Sequence, residues 1–141
     1  MKKIDSFQGE YRWLSNFWSS PIEYEGIKYP TVEHAYQAQK FQSNENKRRI
    51  AELKTPGEAK REGKEILLPP TWELIKDSIM EDLLRLKFKI SELQEKLLIT
   101  GDVELVEGNT WNDTYWGRCR GIGQNKLGKL LMKIREELKN Q

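Results

Sequence analysis

Cysteine and histidine are almost missing from this chain of 141 residues, which contains one of each. A single cysteine excludes an internal disulfide framework, and the two counts together exclude a Cys-rich or multi-histidine metal site. Apolar residues make up only 37% of the sequence, and no apolar run approaches the roughly 18 residues that span a membrane. Because the first residues also lack the apolar segment of a signal peptide, we expect a cytoplasmic protein with no membrane partner, metal or cofactor.

A large net charge is absent as well. The 24 basic and 22 acidic residues leave a formal net charge of +2. This balance argues against a strongly basic nucleic-acid platform and favours a small molecule as the binding partner. The length predicts one domain spanning residues 1–141, because a typical domain contains about 100–200 residues.

Helical patterns account for most of the chain, which predicts a mainly α protein with a few short β-strands (an α+β fold). Apolar and polar residues alternate on either side of Gly26, a pattern typical of a hairpin. Thr31 is the expected N-cap of a helix that continues to about Phe41. Apolar residues recur at three- and four-residue steps from Trp72 to Ile90, which predicts a long amphipathic helix. The remaining predicted elements are helices over residues 44–53, 58–65, 91–100 and from 125 onward, and a short strand at 105–107.

Polar residues at helical spacing mark the segment after Thr31. Glu33, Gln37 and Lys40 occur at i, i+4 and i+7, so they project from one face of the predicted helix. Such a face can bracket a small ligand, and the alternative is a solvated polar stripe. His34, in the same segment, is more typical of a structural histidine than of a catalyst.

Two later segments combine groups that bind or react. Asp113 lies among aromatic residues in a turn-rich segment, where aromatic walls exclude water and strengthen electrostatic contacts. The alternative there is a turn that packs against the core. Residues 121–126 follow two arginines and combine glycines with a helix start, which are features of a phosphate cradle. The alternative for this second segment is a simple connector.

Four longer segments are similar to the motifs of a known family. They are residues 10–17 (EYRWLSNF), 29–41 (YPTVEHAYQAQKF), 112–117 (NDTYWG) and 123–128 (GQNKLG). Their order and separation resemble those of the NADAR, or YbiA-like, family, and they extend over nearly the whole chain. The resemblance implies a mainly helical fold with a few short strands, formed by a single compact YbiA-like domain.

The resemblance also implies N-glycosidase activity, the hydrolysis of the bond between ribose C1′ and a base nitrogen. Members of the family are associated with two substrate classes. One is the ribosylaminopyrimidine intermediates of the early riboflavin pathway, and the other is ADP-ribose attached to guanine in nucleic acid. The implied partner is therefore a small phosphoribosyl or ADP-ribosyl molecule or ADP-ribosylated nucleic acid, and the sequence leaves this choice open.

Catalytic roles follow from the positions that match the family motifs. Lys40 occupies the lysine of the Glu-His-x-x-Gln-Ala-x-Lys motif and is the candidate nucleophile, which would form a Schiff base with the opened ribose. Glu33 is the candidate acid, base or ribose-hydroxyl acceptor, and Asp113 is the second carboxylate. The open alternative is a mechanism that uses the two carboxylates without attack by the lysine. The expected substrate-binding residues are Ser15, Asn16, Phe17, Tyr36, Gln37, Trp72, Trp111, Trp116, Gly123, Asn125 and Lys126.

Within that set, the resemblance implies that Trp111 and Trp116 stack on the base or ribose. Gly123, Asn125 and Lys126 are expected on the phosphate side, and Trp72 either closes the pocket or belongs to the core. These roles require segments that are far apart in the sequence to meet around one sugar carbon. A non-catalytic module that binds nucleotides, ADP-ribose or ADP-ribosylated nucleic acid is the alternative function.

Overall fold

The computed structural model describes residues 3–141. The chain divides into two units, one formed by Asn16–Ile90 and the other by Met1–Ser15 with Ser91–Gln141. Within the described residues there are six α-helices, one 3-10 helix and six strands of two or three residues. The predicted class, mainly α with a few short strands, is therefore confirmed.

The Asn16–Ile90 unit begins with the predicted hairpin. Strands β2 (Ile22–Tyr24) and β3 (Ile27–Tyr29) pair antiparallel. The turn between them places both Glu25 and Gly26 at positive φ, 50° and 83°. Two consecutive positive φ values define the tight turn that matches the twist of paired strands.

Helix α1 (Val32–Ala38) is the centre of this unit, and all seven of its residues are buried. The predicted cap is confirmed, because the Thr31 hydroxyl accepts a hydrogen bond from the His34 backbone N–H at 3.0 Å. The prediction that the helix continues to Phe41 was wrong. After Ala38 the backbone N–H groups of Lys40 and Phe41 donate to carbonyls three residues earlier, so the chain leaves the helix in tight turns.

Three helices pack around α1, and the apolar residues of the last one form much of the core. They are α2 (Asn44–Ala51), α3 (Pro56–Glu65) and α4 (Trp72–Lys87). The long amphipathic helix was predicted to end at Ile90, but it ends at Lys87. Within its predicted apolar stripe Met80 and Leu84 are buried as expected, but Ile75 is 38% exposed. A helix this rich in leucine and isoleucine has more apolar residues than its core-facing side can hold.

The other unit contains two pairs of parallel two-residue strands. Strand β1 (Lys3–Ile4) pairs with β4 (Glu104–Leu105), and β5 (Gly108–Asn109) pairs with β6 (Arg118–Cys119). A 3-10 helix spans Gly9–Leu14, and the helices are α5 (Ser91–Ile99) and α6 (Lys126–Lys139). The sequence predicted both α-helices and a strand near β4, but it missed β1, β5, β6 and the 3-10 helix. Elements this short have no periodic pattern to detect.

Two features are absent from residues 3–141. No helix in that range combines the length and the apolar character needed to cross a membrane. Nor does that range contain a group of three or more His, Cys, Asp or Glu side chains arranged to hold a metal ion.

Candidate active site

Glu33 and Gln37 form a buried polar pair inside α1. Their side chains are one turn apart, and Gln37 Nε2 donates a hydrogen bond to Glu33 Oε2 at 2.7 Å. Only 8% of Glu33 and 4% of Gln37 are exposed. A solvated polar stripe is therefore wrong for these two residues. Burying a carboxylate is costly unless it is hydrogen-bonded, and the amide meets part of that requirement.

Lys40 lies just after α1, with its amine against two aromatic rings. Lys40 Nζ is 5.6 Å from the centroid of the Tyr36 ring and 5.7 Å from that of Trp72. The two rings are in contact, with centroids 5.3 Å apart and a tilt of 54°. Trp72 is itself buried. It therefore belongs to the packed interior and also forms part of the wall beside the amine, so both expected roles of Trp72 are compatible.

The surroundings of Lys40 favour a neutral amine. Burial is the largest effect and lowers the pKa of Lys40 below its usual 10.5, while the negative charge of Glu33 acts in the opposite direction. Positive charges on α3 and α4 lower the pKa further; they belong to Lys76, Lys64 and Lys60. A lysine must be neutral to act as a nucleophile, so this environment suits the role implied by the family motif.

Asn16 and Gln37 each have a buried side-chain oxygen without a hydrogen bond. The Asn16 carbonyl accepts from the Glu33 backbone N–H at 3.1 Å, and Asn16 Nδ2 contacts the Met80 sulfur at 3.5 Å. Among residues 3–141, no donor reaches Asn16 Oδ1 or Gln37 Oε1. Buried acceptors without partners are uncommon, and a ligand with hydroxyl or amino groups is one way to satisfy them. Neighbouring Phe17 is 44% exposed.

Gly63 of α3 leaves the space that the Gln37 amide occupies. A Cβ atom on Gly63 would lie 1.8 Å from Gln37 Oε1 and 2.7 Å from its amide carbon. Only glycine allows α3 to approach α1 this closely. The role of Gly63 was not predicted, because a glycine inside a charged helix gives no local sign of the partner it contacts.

In the other unit, Asp113 organises the turn that leads to Trp116. Asp113 Oδ1 accepts backbone hydrogen bonds from Tyr115 at 3.1 Å and Trp116 at 2.9 Å. The Asn109 side chain bonds to both the N–H and the carbonyl of Asp113. Asp113 is thus at least a turn-forming residue, and Asn109, at the end of β5, holds that turn in place. The chemical role of Asp113 stays a prediction.

The aromatic residues around this turn differ in exposure. Trp111 is 49% exposed, and Trp116 packs edge-on against Tyr115 with centroids 5.0 Å apart. Lys126 Nζ lies 4.9 Å from the centroid of the Tyr115 ring. An indole with half of its surface accessible is suited to stacking on a flat ligand.

Gly123 and Asn125 have clear structural roles. Asn125 is buried at positive φ, its Oδ1 accepts from the Glu107 N–H, and its Nδ2 donates to the Leu105 carbonyl, both at 3.0 Å. A Cβ atom on Gly123 would lie 2.3 Å from the Gly117 carbonyl oxygen. These two residues hold the loop before α6 in place, and their expected contact with phosphate stays a prediction. Ser15, whose N–H donates to Arg12 at the end of the 3-10 helix, is also only a predicted contact.

His34 has the structural role expected of it. One ring nitrogen lies 2.8 Å from the Thr31 hydroxyl, and the other lies 3.0 Å from the Leu53 carbonyl. Burial lowers the pKa of His34, which favours its neutral form. The ring connects α1 to the segment after α2, and this arrangement leaves neither nitrogen for catalysis.

The chain belongs to the NADAR domain family, whose model matches residues 5–139. It is 41% identical over 137 residues to N-glycosidase YbiA of Escherichia coli (strain K12), covering 94% of this chain and 85% of that protein. The NMR structure of E. coli YbiA matches the fold with a TM-score of 0.85 at 39% identity, covering 98% of this chain and 84% of that one.

Two further relatives extend the comparison. N-glycosidase Npun_R5314 of Nostoc punctiforme is 39% identical, over 92% of this chain and 87% of that protein. Riboflavin biosynthesis protein VVA0006 of Vibrio vulnificus is 35% identical, over 89% of this chain but 35% of the longer relative. The family and these relatives define the class of the protein, which is an N-glycosidase, a hydrolase of N-glycosyl bonds.

Proposed function

We propose that the protein hydrolyses the C1′–N bond of a ribosylated base, with Lys40 as the nucleophile and Glu33 as the acid and base. The observation that supports this most is the position of the Lys40 amine, which lies against Tyr36 and Trp72 and is electrostatically coupled to the buried carboxylate. An amine whose pKa is lowered by burial beside an acid is the usual arrangement for attack on a sugar carbon.

The reaction needs a proton for the base and an amine that is regenerated. The Lys40 nitrogen forms a bond to C1′ as the C1′–N bond to the base breaks, and the base leaves with the bonding electrons and a proton from Glu33. The adduct then loses a proton from the lysine nitrogen while the ring oxygen gains one, which opens the sugar to a Schiff base. Water adds to that carbon and the amine leaves, so the products are free base and ribose.

Of the two substrate classes, we favour the ribosylaminopyrimidine intermediates of the riboflavin pathway. One of the relatives is named a riboflavin biosynthesis protein, and the net charge of +2 gives little general attraction to nucleic acid. ADP-ribose linked to guanine in nucleic acid is the second class, because it contains the same type of bond at the ribose carbon.

The remaining residues keep the roles that the family motifs imply. Asp113 is the proposed second carboxylate, and Trp111 and Trp116 are the proposed stacking residues, for which the exposed indole of Trp111 gives support. Ser15, Asn16 and Phe17 are proposed to form one wall of the site. The Asn16 backbone bond to the start of α1 supports this role for Asn16.

The test is a paired substrate assay on the purified full chain. A ribosylaminopyrimidine phosphate and a guanine-linked ADP-ribose DNA are incubated separately with the protein, and released base is quantified by chromatography. We expect turnover of at least one substrate and its loss in both Glu33→Gln and Lys40→Met. Lys89→Met is the matched control, because Lys89 is exposed and distant in sequence from α1.

Two outcomes would contradict the proposal. Tight binding of both substrates without release of base would favour a non-catalytic binding module. Turnover that survives in a folded Lys40→Met variant would leave the carboxylate-only mechanism. Borohydride added during turnover separates the two mechanisms, because it reduces a Schiff base to a stable adduct that peptide mass spectrometry can locate at Lys40.

A further inference from the structure

The side-chain amide of Gln37 lies between a carboxylate and a glycine of the Asn16–Ile90 unit. Its Nε2 donates a hydrogen bond to Glu33 Oε2 at 2.7 Å. Its Oε1 faces Gly63 of α3, where a Cβ atom would lie only 1.8 Å away. Since a carbon–carbon bond is about 1.5 Å long, Oε1 is within about 3.3 Å of the Gly63 Cα atom. Both ends of the amide are therefore in contact with the protein.

This position leaves little room for a direct contact between Gln37 and a substrate. Only 4% of the residue is exposed. The approach of Oε1 to the Gly63 Cα–H group explains how this oxygen is buried without a hydrogen bond among the described residues. A ligand would have to displace either the carboxylate or the α3 backbone to reach the amide. The family motif implies that Gln37 binds the substrate, but this geometry favours a role that acts through Glu33.

Hydrogen-bond chemistry determines which way the amide points. An ionised carboxylate is only an acceptor, so it requires the donor end of the amide, Nε2, and not the carbonyl end. Exchange of the two ends would bring Gln37 Oε1 against Glu33 Oε2 and would place the NH2 group against the Gly63 Cα–H group. Both contacts would then be unfavourable. The orientation in the structure is the one that suits an anionic Glu33.

The backbone of α3 restricts the amide to this orientation. A Cβ atom on Gly63 would lie 2.7 Å from the amide carbon of Gln37 and 3.4 Å from its Cβ atom, so the glycine follows the length of the side chain. A glutamine side chain loses rotamer freedom when it is held in this way, and the loss is already made in the folded protein. A donor that is fixed in advance needs no reorganisation when charge develops on its acceptor.

We propose that Gln37 is a positioning residue for Glu33, which it holds by one oxygen and stabilises as an anion during the reaction. When Glu33 transfers its proton, the O–H bond of the acid breaks, an N–H bond to the leaving base forms and the carboxylate keeps the electron pair. A hydrogen bond to an ionised oxygen is about twice as strong as one to a neutral oxygen. The contact therefore strengthens as the charge develops, which lowers the barrier. The proposal rests on the proposed function in one respect, which is that Glu33 is the acid.

Steady-state kinetics of the full chain give the first test. Gln37→Met keeps the length of the side chain and removes the donor. We expect kcat for base release to fall by about tenfold, the effect of one lost hydrogen bond to a charged group. KM and the affinity for ribose 5-phosphate are expected to stay unchanged. Gln39→Met is the matched control and should retain kcat, because the Gln39 Nε2 donates to the Ala35 carbonyl at 2.9 Å and not to a carboxylate.

Two results would overturn the proposal. An unchanged kcat in a folded Gln37→Met variant would show that Glu33 does not depend on the amide. A higher KM and weaker ribose 5-phosphate binding, with kcat unchanged, would make Gln37 a direct substrate contact. Thermal unfolding identifies a variant that fails to fold, and Gly63→Ala then provides the test. It displaces the amide from the side of α3 without changing Gln37, so we expect a similar fall in kcat with ribose 5-phosphate binding retained.

NMR of the 15N-labelled protein tests the contact without turnover. The side-chain NH2 signals of Gln37 are identified by their loss in Gln37→Met. We expect one of these proton signals to lie downfield, to move upfield in Glu33→Gln, where the acceptor is no longer charged, and to keep its position when ribose 5-phosphate is added to the original protein. A signal that responds to ribose 5-phosphate and not to Glu33→Gln would refute the positioning role.

Borohydride trapping separates this proposal from the proposed function. Ribose 5-phosphate has an aldehyde form that can condense with Lys40, and no base has to be protonated in that reaction. We therefore expect Gln37→Met to retain the reduced adduct at Lys40 while its kcat for base release falls. An adduct at Lys40 together with an unchanged kcat in Gln37→Met would refute the positioning role and retain the nucleophile. Absence of the adduct together with the expected fall in kcat would refute the nucleophile and retain the positioning role.

Discussion

Lys87, the last residue of α4, gives a quantitative prediction because its side chain is completely buried. Its exposure is 0%, and its Nζ lies 5.3 Å from the centroid of the Phe88 ring. Burial lowers the pKa of Lys87 from 10.5 to about 7. At a pH where Lys87 is charged in both states, this lowering of the pKa reduces the free energy of unfolding by about 5 kcal/mol.

The direction of the pH dependence follows from the two pKa values. Between about pH 7 and 10.5 the unfolded chain keeps a proton on Lys87 that the folded chain has released. Since the unfolded state binds more protons in this range, stability rises with pH. Integrating between pH 6 and pH 9 gives an increase of about 3 kcal/mol from this one residue.

Urea unfolding at pH 6 and pH 9 tests this with Lys87→Met, a substitution of similar length without a charge. We expect the unfolding free energy of the variant minus that of the original protein to be about 3 kcal/mol larger at pH 6 than at pH 9. The same comparison with Lys89→Met, at an exposed neighbouring position, is the control and should give equal differences at both pH values. A Lys87→Met difference that is constant or larger at pH 9 would refute the reasoning.

Three further predictions concern the candidate site. Gly63→Ala places a methyl group against the Gln37 amide, so we expect the free energy of unfolding in urea to fall by about 1–3 kcal/mol and kcat to fall as well. Gly57→Ala is the control and should change kcat little, because a methyl group there makes only an ordinary van der Waals contact. Asp113→Asn keeps an oxygen for the two backbone N–H groups and removes the charge. We expect kcat of this variant to fall while its Tm is retained, because Asp113 is the proposed second carboxylate. An unchanged kcat would assign Asp113 to the turn alone. In the pH profile of kcat/KM, the midpoint of the acid limb should lie below pH 10.5, because the pKa of Lys40 is lowered and the neutral amine is the reactive form. A midpoint at pH 10.5 or above would contradict the role of Lys40 as the nucleophile.

Local signals allowed much of the fold to be predicted from the sequence. The Thr31 cap, the turn at Gly26 and the starts of α4 and α5 depend on residues within a few positions of each other, and all are present. The parallel pairing of Ile4 with Leu105 was missed, because it joins segments about 100 residues apart and each strand has only two residues. Such pairing depends on tertiary packing, which no short sequence window contains.

For the candidate site, the motif residues could be predicted but their neighbours could not. The spacing of Glu33 and Gln37 predicted a shared face, and their hydrogen bond confirms it. The same spacing gave no indication that the charges of lysines on α3 and α4 lower the pKa of Lys40. Helical periodicity defines which residues of one helix are neighbours, whereas contacts between helices depend on small residues such as Gly63 at the point of approach.

The burial of α1 also explains why a polar pair in that helix indicates chemistry. Every residue of α1 is buried, so apolar side chains at Glu33 and Gln37 would pack there without the cost of desolvating a carboxylate and an amide. One hydrogen bond between them recovers only part of that cost, and Gln37 Oε1 still has no partner among the described residues. Natural proteins tolerate such departures from consistent packing mainly where function requires them. The charge of Glu33 acts on the Lys40 amine, which follows this helix in the chain. For this reason Glu33 and Gln37 are expected to contribute to the reaction more than to stability.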